Sequence, residues 1–134
     1  GVQTCALPIC PTDELSGPRG IYQLISDSKN NAWLAEFSNG HLGRIDAKTK
    51  AVKWYPTPTK GARARRMDID ENDVILVTLY RANAVAFFDT RAEKYTEYKL
   101  PGEWAAPYRA VTDQKGDVWV STMSSDRVVR FTPA

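Results

Sequence analysis

The chain has 134 residues, of which 25% are charged and 43% hydrophobic, and its formal net charge is +2. This length suits one ordinary globular domain. The mild net charge predicts neither a nucleic-acid partner nor a membrane-surface partner, and no run approaches the roughly 20 apolar residues that a membrane span needs.

The first residues differ in character from the rest of the chain. The segment GVQTCALPI at residues 1–9 resembles the translation of a common sequencing adapter, so we exclude residues 1–10 from fold reasoning. A genuine N-terminal segment or a piece of signal peptide is the alternative. Both cysteines, Cys5 and Cys10, lie in this segment, so the rest of the chain has no disulfide framework and no thiolate metal site. Residues 11–16 are interpreted as a linker.

The remaining sequence predicts short β-strands separated by turns, with no sustained helical period. Turn-forming residues such as Ser38, Asn39 and Gly40 separate the apolar runs. In chain order, the predicted strands are 21–25, 32–37, 41–46, 52–55, 65–69, 74–79, 84–89, 95–98, 108–112, 118–122 and 127–131.

These strands belong to a repeat of 43 residues, which is the spacing between Trp33, Leu76 and Trp119. A four-stranded antiparallel meander at this period is typical of a β-propeller blade. The sequence therefore predicts an all-β fold, a β-propeller fragment of about three four-stranded antiparallel blades. A free-standing open array, or a ring closed by two chains, is the alternative. The predicted blades span residues 17–60, 61–103 and 104–134, and the third lacks a fourth strand.

The repeat also predicts two structural roles. The three anchor residues at the 43-residue spacing are expected to pack between neighbouring blades. Asp27, Asp70 and Asp113 each precede an anchor by six residues, at the exit of the first strand of a blade. There a carboxylate can accept hydrogen bonds from backbone amides, so these aspartates are expected to cap turns.

Four sequence blocks stand out, which are GPRGI at 17–21, WLAE at 33–36, HLGRIDAKT at 41–49 and KYTEYKLP at 94–101. They resemble the virginiamycin B lyase (streptogramin lyase) family of propellers. The family repeats blocks of the type P-x-G-I, W-F-T-E, N-x-I-G-R-I-D and I-x-E-Y-x-L-P, and the resemblance covers residues 17–134. It implies that the remaining blades of the same propeller are partners of this chain. It also implies an exported or periplasmic location.

The resemblance further implies what an enzyme of this family would need. The family includes a metal-dependent lyase that opens the ester linkage of a cyclic depsipeptide by elimination. It uses histidines after the proline of P-x-G-I, glutamates near W-F-T-E, and Mg. The matching positions here are Arg19, Arg65 and Tyr108 for the histidines, and Glu36, Leu79 and Thr122 for the glutamates.

None of the histidine positions is matched, and an arginine cannot act as a general base because it does not lose its proton. Glu36 alone matches, which makes it a candidate metal ligand. We therefore assign no catalytic residue and expect no cofactor in this fragment, although Mg is possible in a full-length relative. The only histidine, His41, opens a predicted strand and is expected to face solvent.

Basic residues before the predicted inner strands suggest a binding site. Guanidinium groups around one mouth of a propeller channel would bind a small anionic ligand through charge-assisted hydrogen bonds, and Tyr22 and Trp104 would line the same mouth. The alternative is that these arginines form surface ion pairs with Asp68, Asp70, Glu71 and Glu103. The candidate ligand-binding residues are Arg19, Arg65, Arg66, Tyr108 and Arg109.

Two classes of function remain open at this point. The first is a ligand-binding or interaction module that lacks complete catalytic machinery in this chain. The second is part of a metal-dependent lyase or lactonase-like enzyme whose catalytic histidines and glutamates lie in blades outside this chain. Fold resemblance cannot choose between them, because propellers carry many chemistries.

Overall fold

The computed structural model describes residues 20–134, and the regular elements in this range are all β-strands. Each predicted strand agrees with an observed one to within one residue at either end. The adapter-like segment, the linker and Arg19 lie outside the described residues. The strands are β1 Ile21–Ser26, β2 Ala32–Glu36, β3 His41–Ile45, β4 Val52–Pro56, β5 Ala64–Ile69, β6 Val74–Leu79, β7 Ala84–Asp89, β8 Lys94–Lys99, β9 Pro107–Thr112, β10 Val118–Thr122 and β11 Val128–Phe131.

The strands form three antiparallel sheets in which consecutive strands are neighbours. The first sheet contains β1 to β4, the second β5 to β8, and the third β9 to β11. The innermost strands are neighbours too, since β5 contacts both β1 and β9. This confirms the predicted all-β propeller fragment, with sheets of four, four and three strands.

The first and second sheets pack face to face around an aromatic cluster. Trp33 is fully buried, and its ring lies 5.5 Å from both Tyr55 and Phe88, measured between centroids. The rings of Tyr55 and Phe88 are 5.0 Å apart, and Tyr95 lies 4.5 Å from Phe88. Full burial of a large apolar side chain contributes roughly 1.5–3 kcal/mol, so this cluster accounts for much of the contact between the two sheets.

The second and third sheets enclose another core. Strand side chains alternate between the two faces of a sheet, so Ile75 and Val77 of β6 face the first sheet while Leu76 faces the third. Leu76 packs there with Val118 and Val120 of β10. Two of the three anchors thus lie between sheets, as predicted. Trp119, the third anchor, is 39% exposed on the outer face of the third sheet.

The predicted turn-capping aspartates are confirmed. One carboxylate oxygen of Asp27 accepts hydrogen bonds from the amides of Lys29 and Asn31, each at 2.9 Å. Asp70 and Asp113 each cap the equivalent turn. The structure adds a contact that we did not predict, because the second oxygen of Asp27 accepts a hydrogen bond from Trp33 Nε1 at 2.9 Å. Asp113 and Trp119 repeat this bond at the same distance.

Replacing the two equivalent tryptophans separately should give very different losses of stability. We expect Trp33→Ala to lower the free energy of unfolding by about 3–5 kcal/mol, because it leaves a cavity between two sheets. Trp119→Ala removes the same aspartate bond from a half-exposed site and should cost about 1 kcal/mol. Guanidinium unfolding followed by circular dichroism measures both. Equal losses would contradict the assignment of Trp33 to the stabilising core.

Candidate ligand-binding site at the rim of the inner strands

Each inner strand has a bulge near its first residues, and this irregularity builds the site. In β1, Ile21 pairs with Glu36 and Gln23 with Ala35, so Tyr22 has no partner in the ladder. The shift recurs in β5 between Ala64 and Met67, and Tyr108 occupies the corresponding place in β9. A bulge redirects the side chain of the extra residue. Three bulges at one repeat position therefore direct Tyr22, Arg65 and Tyr108 to a common rim.

This register corrects one sequence match. We aligned Arg19 with Arg65 and Tyr108 from the P-x-G-I block. The bulges and the 43-residue spacing show instead that Tyr22 is the equivalent of those two residues. The 43-residue spacing alone indicates this equivalence, but the match was made on the P-x-G-I block instead.

The guanidinium of Arg65 lies among aromatic rings. Its central carbon is 4.4 Å from the centroid of the Tyr108 ring and 5.0 Å from those of Tyr22 and Tyr80. Phe37 lies at 5.8 Å, and Arg65 Nη1 donates a hydrogen bond to the sulfur of Met123 at 2.7 Å. Cation–π contacts of this kind contribute about 0.5–2 kcal/mol each. Arg65 is therefore held in place by ring faces and a sulfur atom, with no carboxylate involved.

The residues that surround Arg65 could have been found from the repeat. Phe37, Tyr80 and Met123 are spaced by 43 residues, and each follows the second strand of its sheet. We did not single out this position because its three side chains share no obvious chemistry. The three residues share only their location at the rim beside the bulge.

Arg66 reaches the same rim from the neighbouring position. Its Nη2 donates a hydrogen bond to the hydroxyl of Tyr108 at 3.2 Å, and the hydroxyl of Tyr22 lies 3.4 Å from that of Tyr108. Hydrogen bonds from Tyr22 and Arg66, together with the positive charges of Arg66 and Arg65, hold the pKa of Tyr108 below its usual value of 10.0. The rim is thus electrostatically positive.

The structure brings together Arg65, Arg66 and Tyr108 of the predicted ligand-binding residues. Arg109 does not join them. It lies on the outer face of the third sheet beside Val111 and Trp119. The alternative of surface ion pairs is not observed, because no ion pair within residues 20–134 joins Arg65 or Arg66 to a carboxylate.

His41 is buried, and the expectation that it faces solvent was wrong. Its Nδ1 lies 3.2 Å from Oε2 of Glu36, a carboxylate that is completely buried. The two residues are direct partners in the hairpin of β2 and β3. The length of the turn between Glu36 and His41 indicates that the two residues pair, since it sets which residues face each other across the hairpin. Glu36 therefore pairs with the histidine and not with a second carboxylate.

Hydrogen bonding determines the charge state of Glu36. Burial raises the pKa of its carboxyl, but hydrogen bonds from His41 and from the amide of Asn39 outweigh that effect, and the pKa lies below its usual value of 4.5. Both oxygens accept the Asn39 amide, at 3.0 and 3.1 Å.

These contacts bear on Glu36 as a metal ligand. A hard cation such as Mg²⁺ needs several oxygen ligands in octahedral geometry, and both oxygens of Glu36 are already engaged by donors. Among the described residues, no group of three or more histidine, cysteine, aspartate or glutamate side chains could hold a metal ion. Glu36 as a metal ligand therefore stays a prediction.

The sheet topology and the rim define a class of protein, a fragment of a β-propeller. The fold resembles solved lyases of the streptogramin group. Virginiamycin B lyase from Staphylococcus aureus matches with a TM-score of 0.76 and 26% identity over 84% of this chain. A streptogramin B lyase structure matches with a TM-score of 0.78 and 24% identity over 88% of it. The matches cover only 38% and 39% of those lyases, so the chain spans about two fifths of their length.

Other propellers resemble the chain in fold alone. The extracellular domain of a one-component system from B. thetaiotaomicron matches with a TM-score of 0.60 and 16% identity, over 84% of this chain and 16% of that one. No protein-family model and no curated protein sequence matches the chain. Within residues 20–134 we find no helix with the length and apolar character of a membrane span.

The Glu36 pair predicts a specific dependence of stability on pH. Because the folded protein holds this carboxyl at a lower pKa than the unfolded chain does, ionised Glu36 stabilises the fold above about pH 4.5. That contribution is lost as the pH falls further. We expect the free energy of unfolding of the wild type to fall more steeply between pH 5 and 3 than that of Glu36→Gln, measured by urea unfolding.

The matched control is Glu71→Gln, which changes an exposed carboxylate. It should follow the wild-type curve. A Glu36→Gln curve parallel to that of the wild type would show that the pair contributes nothing to acid sensitivity.

Proposed function

We propose that this chain is a ligand-binding part of a larger propeller and that Arg66 and Tyr108 are its main contacts for a small anionic ligand. It carries no complete catalytic machinery of its own. The observation that supports this proposal is the pair of neighbouring guanidinium groups at one rim, which no carboxylate of residues 20–134 neutralises. An anion would relieve the repulsion between the two cations.

The two arginines have different tasks in this proposal. Arg65 is enclosed by rings and by Met123, so it supplies a fixed positive charge behind the site. Arg66 makes one hydrogen bond to Tyr108, and a guanidinium has further N–H donors in a planar fork that matches a carboxylate or phosphate. Arg66 is therefore the residue that meets the ligand, and the phenol of Tyr108 orients it.

The uncovered face of the third sheet supports further blades as partners. Trp119 occupies the anchor position that is buried in the first sheet, yet it is 39% exposed here. A following blade would cover it as the second sheet covers Trp33. The likeness to an extracellular domain supports an exported location for the whole protein.

A second candidate function is part of a metal-dependent lyase or lactonase-like enzyme with its catalytic histidines and glutamates in other blades. The resemblance to virginiamycin B lyase favours it. In that case Glu36, which contacts His41 and Asn39, is the described residue at the glutamate position of the family.

Removing Arg66 should abolish most anion binding. We expect Arg66→Ala to weaken the binding of citrate by about tenfold to a hundredfold, since hydrogen bonds to charged groups contribute about 1.5–3 kcal/mol. Tyr108→Phe, which keeps the ring beside Arg65, should weaken binding by a smaller factor. Isothermal titration calorimetry at low ionic strength measures both constants.

Arg109→Ala is the matched control, since it removes an arginine from the other face of β9. It should bind citrate as the wild type does. Equal losses of citrate affinity in Arg66→Ala and Arg109→Ala would show that only the net charge of the protein matters. Citrate binding by Arg66→Ala as tight as that of the wild type would refute the proposed site.

A further inference from the structure

We propose that the anion site continues into a second subsite that stacks a pyranose ring, so that the ligand is an acidic saccharide. This inference rests on the proposed function and names the class of ligand for the same rim. We call the second subsite the Trp104 pocket. Its lining includes Tyr80, Arg81, Glu103, Trp104 and Ala106.

The Trp104 pocket has a volume of about 430 Å³. It lies between the turn that follows β6 and the loop that leads into β9. Sites for small molecules begin at about 300 Å³ and combine apolar walls with a few polar groups. This pocket has both, with Tyr80, Trp104 and Ala106 as apolar wall and the oppositely charged Arg81 and Glu103 beside them.

The indole of Trp104 is held outward by its loop. The side chain is 79% exposed, although tryptophan is normally among the more buried residues. Its backbone is in the left-handed region, with φ at +57°, which is uncommon for a bulky residue. Asn83 fixes the loop, because its Nδ2 donates to the carbonyl of Gly102 at 2.6 Å and its Oδ1 accepts the amide of Ala105 at 3.0 Å. Asn83 thus fixes the backbone on either side of Trp104.

The pocket adjoins the side chains that surround Arg65. The ring of Tyr80 lines the pocket, and its centroid lies 5.0 Å from the guanidinium carbon of Arg65. Met123 makes a second connection, since its sulfur accepts the Arg65 bond while its amide donates to the carbonyls of Ala105 and Ala106. We infer that one extended ligand spans the arginines and the indole.

The chemistry of the lining favours a sugar ring over an aromatic ring. An indole face packs against the flat C–H surface of a pyranose as well as against an aromatic ring. An aromatic ligand without polar groups would displace water from Arg81 and Glu103 and would not replace the hydrogen bonds lost, which is unfavourable. Sugar hydroxyl groups both donate and accept, so they can pair with either side chain. The carboxylate of a uronic acid would then meet Arg66.

The test compares four probes on the 134-residue chain, which are trigalacturonate, neutral maltotriose, citrate and benzoate. We expect trigalacturonate to bind at least tenfold more tightly than maltotriose and to shift the Trp104 indole signal in ¹⁵N-labelled protein. Trp104→Ala should weaken trigalacturonate binding about tenfold and leave citrate binding unchanged. Val128→Ala, an exposed apolar residue on the third sheet, is the control and should change neither.

Each other outcome overturns a defined part of the inference. Wild-type affinity of Trp104→Ala for trigalacturonate would remove the second subsite and leave the anion site standing. Equal affinity for maltotriose and trigalacturonate would show that the saccharide need not be acidic. A Trp104 indole shift with benzoate but not with trigalacturonate would assign the pocket to an aromatic acid. Absence of citrate binding in the wild type would instead refute the proposed function itself. Unchanged amide spectra of the variants show that the fold is retained.

Discussion

The packing of one sheet face against the next is the constraint on which the rest of this structure depends. Each sheet has two apolar faces and only its neighbours can cover them, so the second sheet contributes to two cores while the first and third contribute to one each. The cluster of Trp33, Tyr55 and Phe88 between the first and second sheets is the clearest example of this packing. The hydrogen bond from the indole of Trp33 to Asp27 joins the core to the turn.

The candidate site is a consequence of the same arrangement. Because the inner strands lie side by side, a bulge at the same repeat position in each sheet collects three side chains at one rim. The sheets hold the backbone rigidly, and the bulges set the direction in which these side chains point. Thr78 compensates for the interrupted ladder at the second bulge, since its hydroxyl accepts a hydrogen bond from the amide of Arg66 at 3.1 Å. The rim can therefore hold two arginines side by side without loss of strand pairing around them.

Much of the fold could be predicted from the sequence, because its determinants are local and periodic. The 43-residue spacing of Trp33 and Leu76 and the turn residues at fixed offsets specify the strands to within one residue. The capping role of Asp27 also followed from its place before a turn. These features depend on residue types and spacing, which the sequence displays directly.

The site was predictable only in part, because its geometry depends on register. Arg65, Arg66 and Tyr108 were found from their charge and position. Tyr22 was expected at the same mouth, but its equivalence to Arg65 and Tyr108 was missed because the match was made on the P-x-G-I block. Burial of His41 was missed because a polar residue at the start of a strand usually faces water, and only pairing with Glu36 makes burial tolerable.

Amide hydrogen exchange tests the central claim most directly, since protection reports how firmly each sheet is held. If packing on both faces determines stability, the amides of β6 and β7 in the second sheet should exchange most slowly, and those of β10 and β11 in the third sheet much faster. Equal protection in all three sheets, or the greatest protection in the third, would contradict the account.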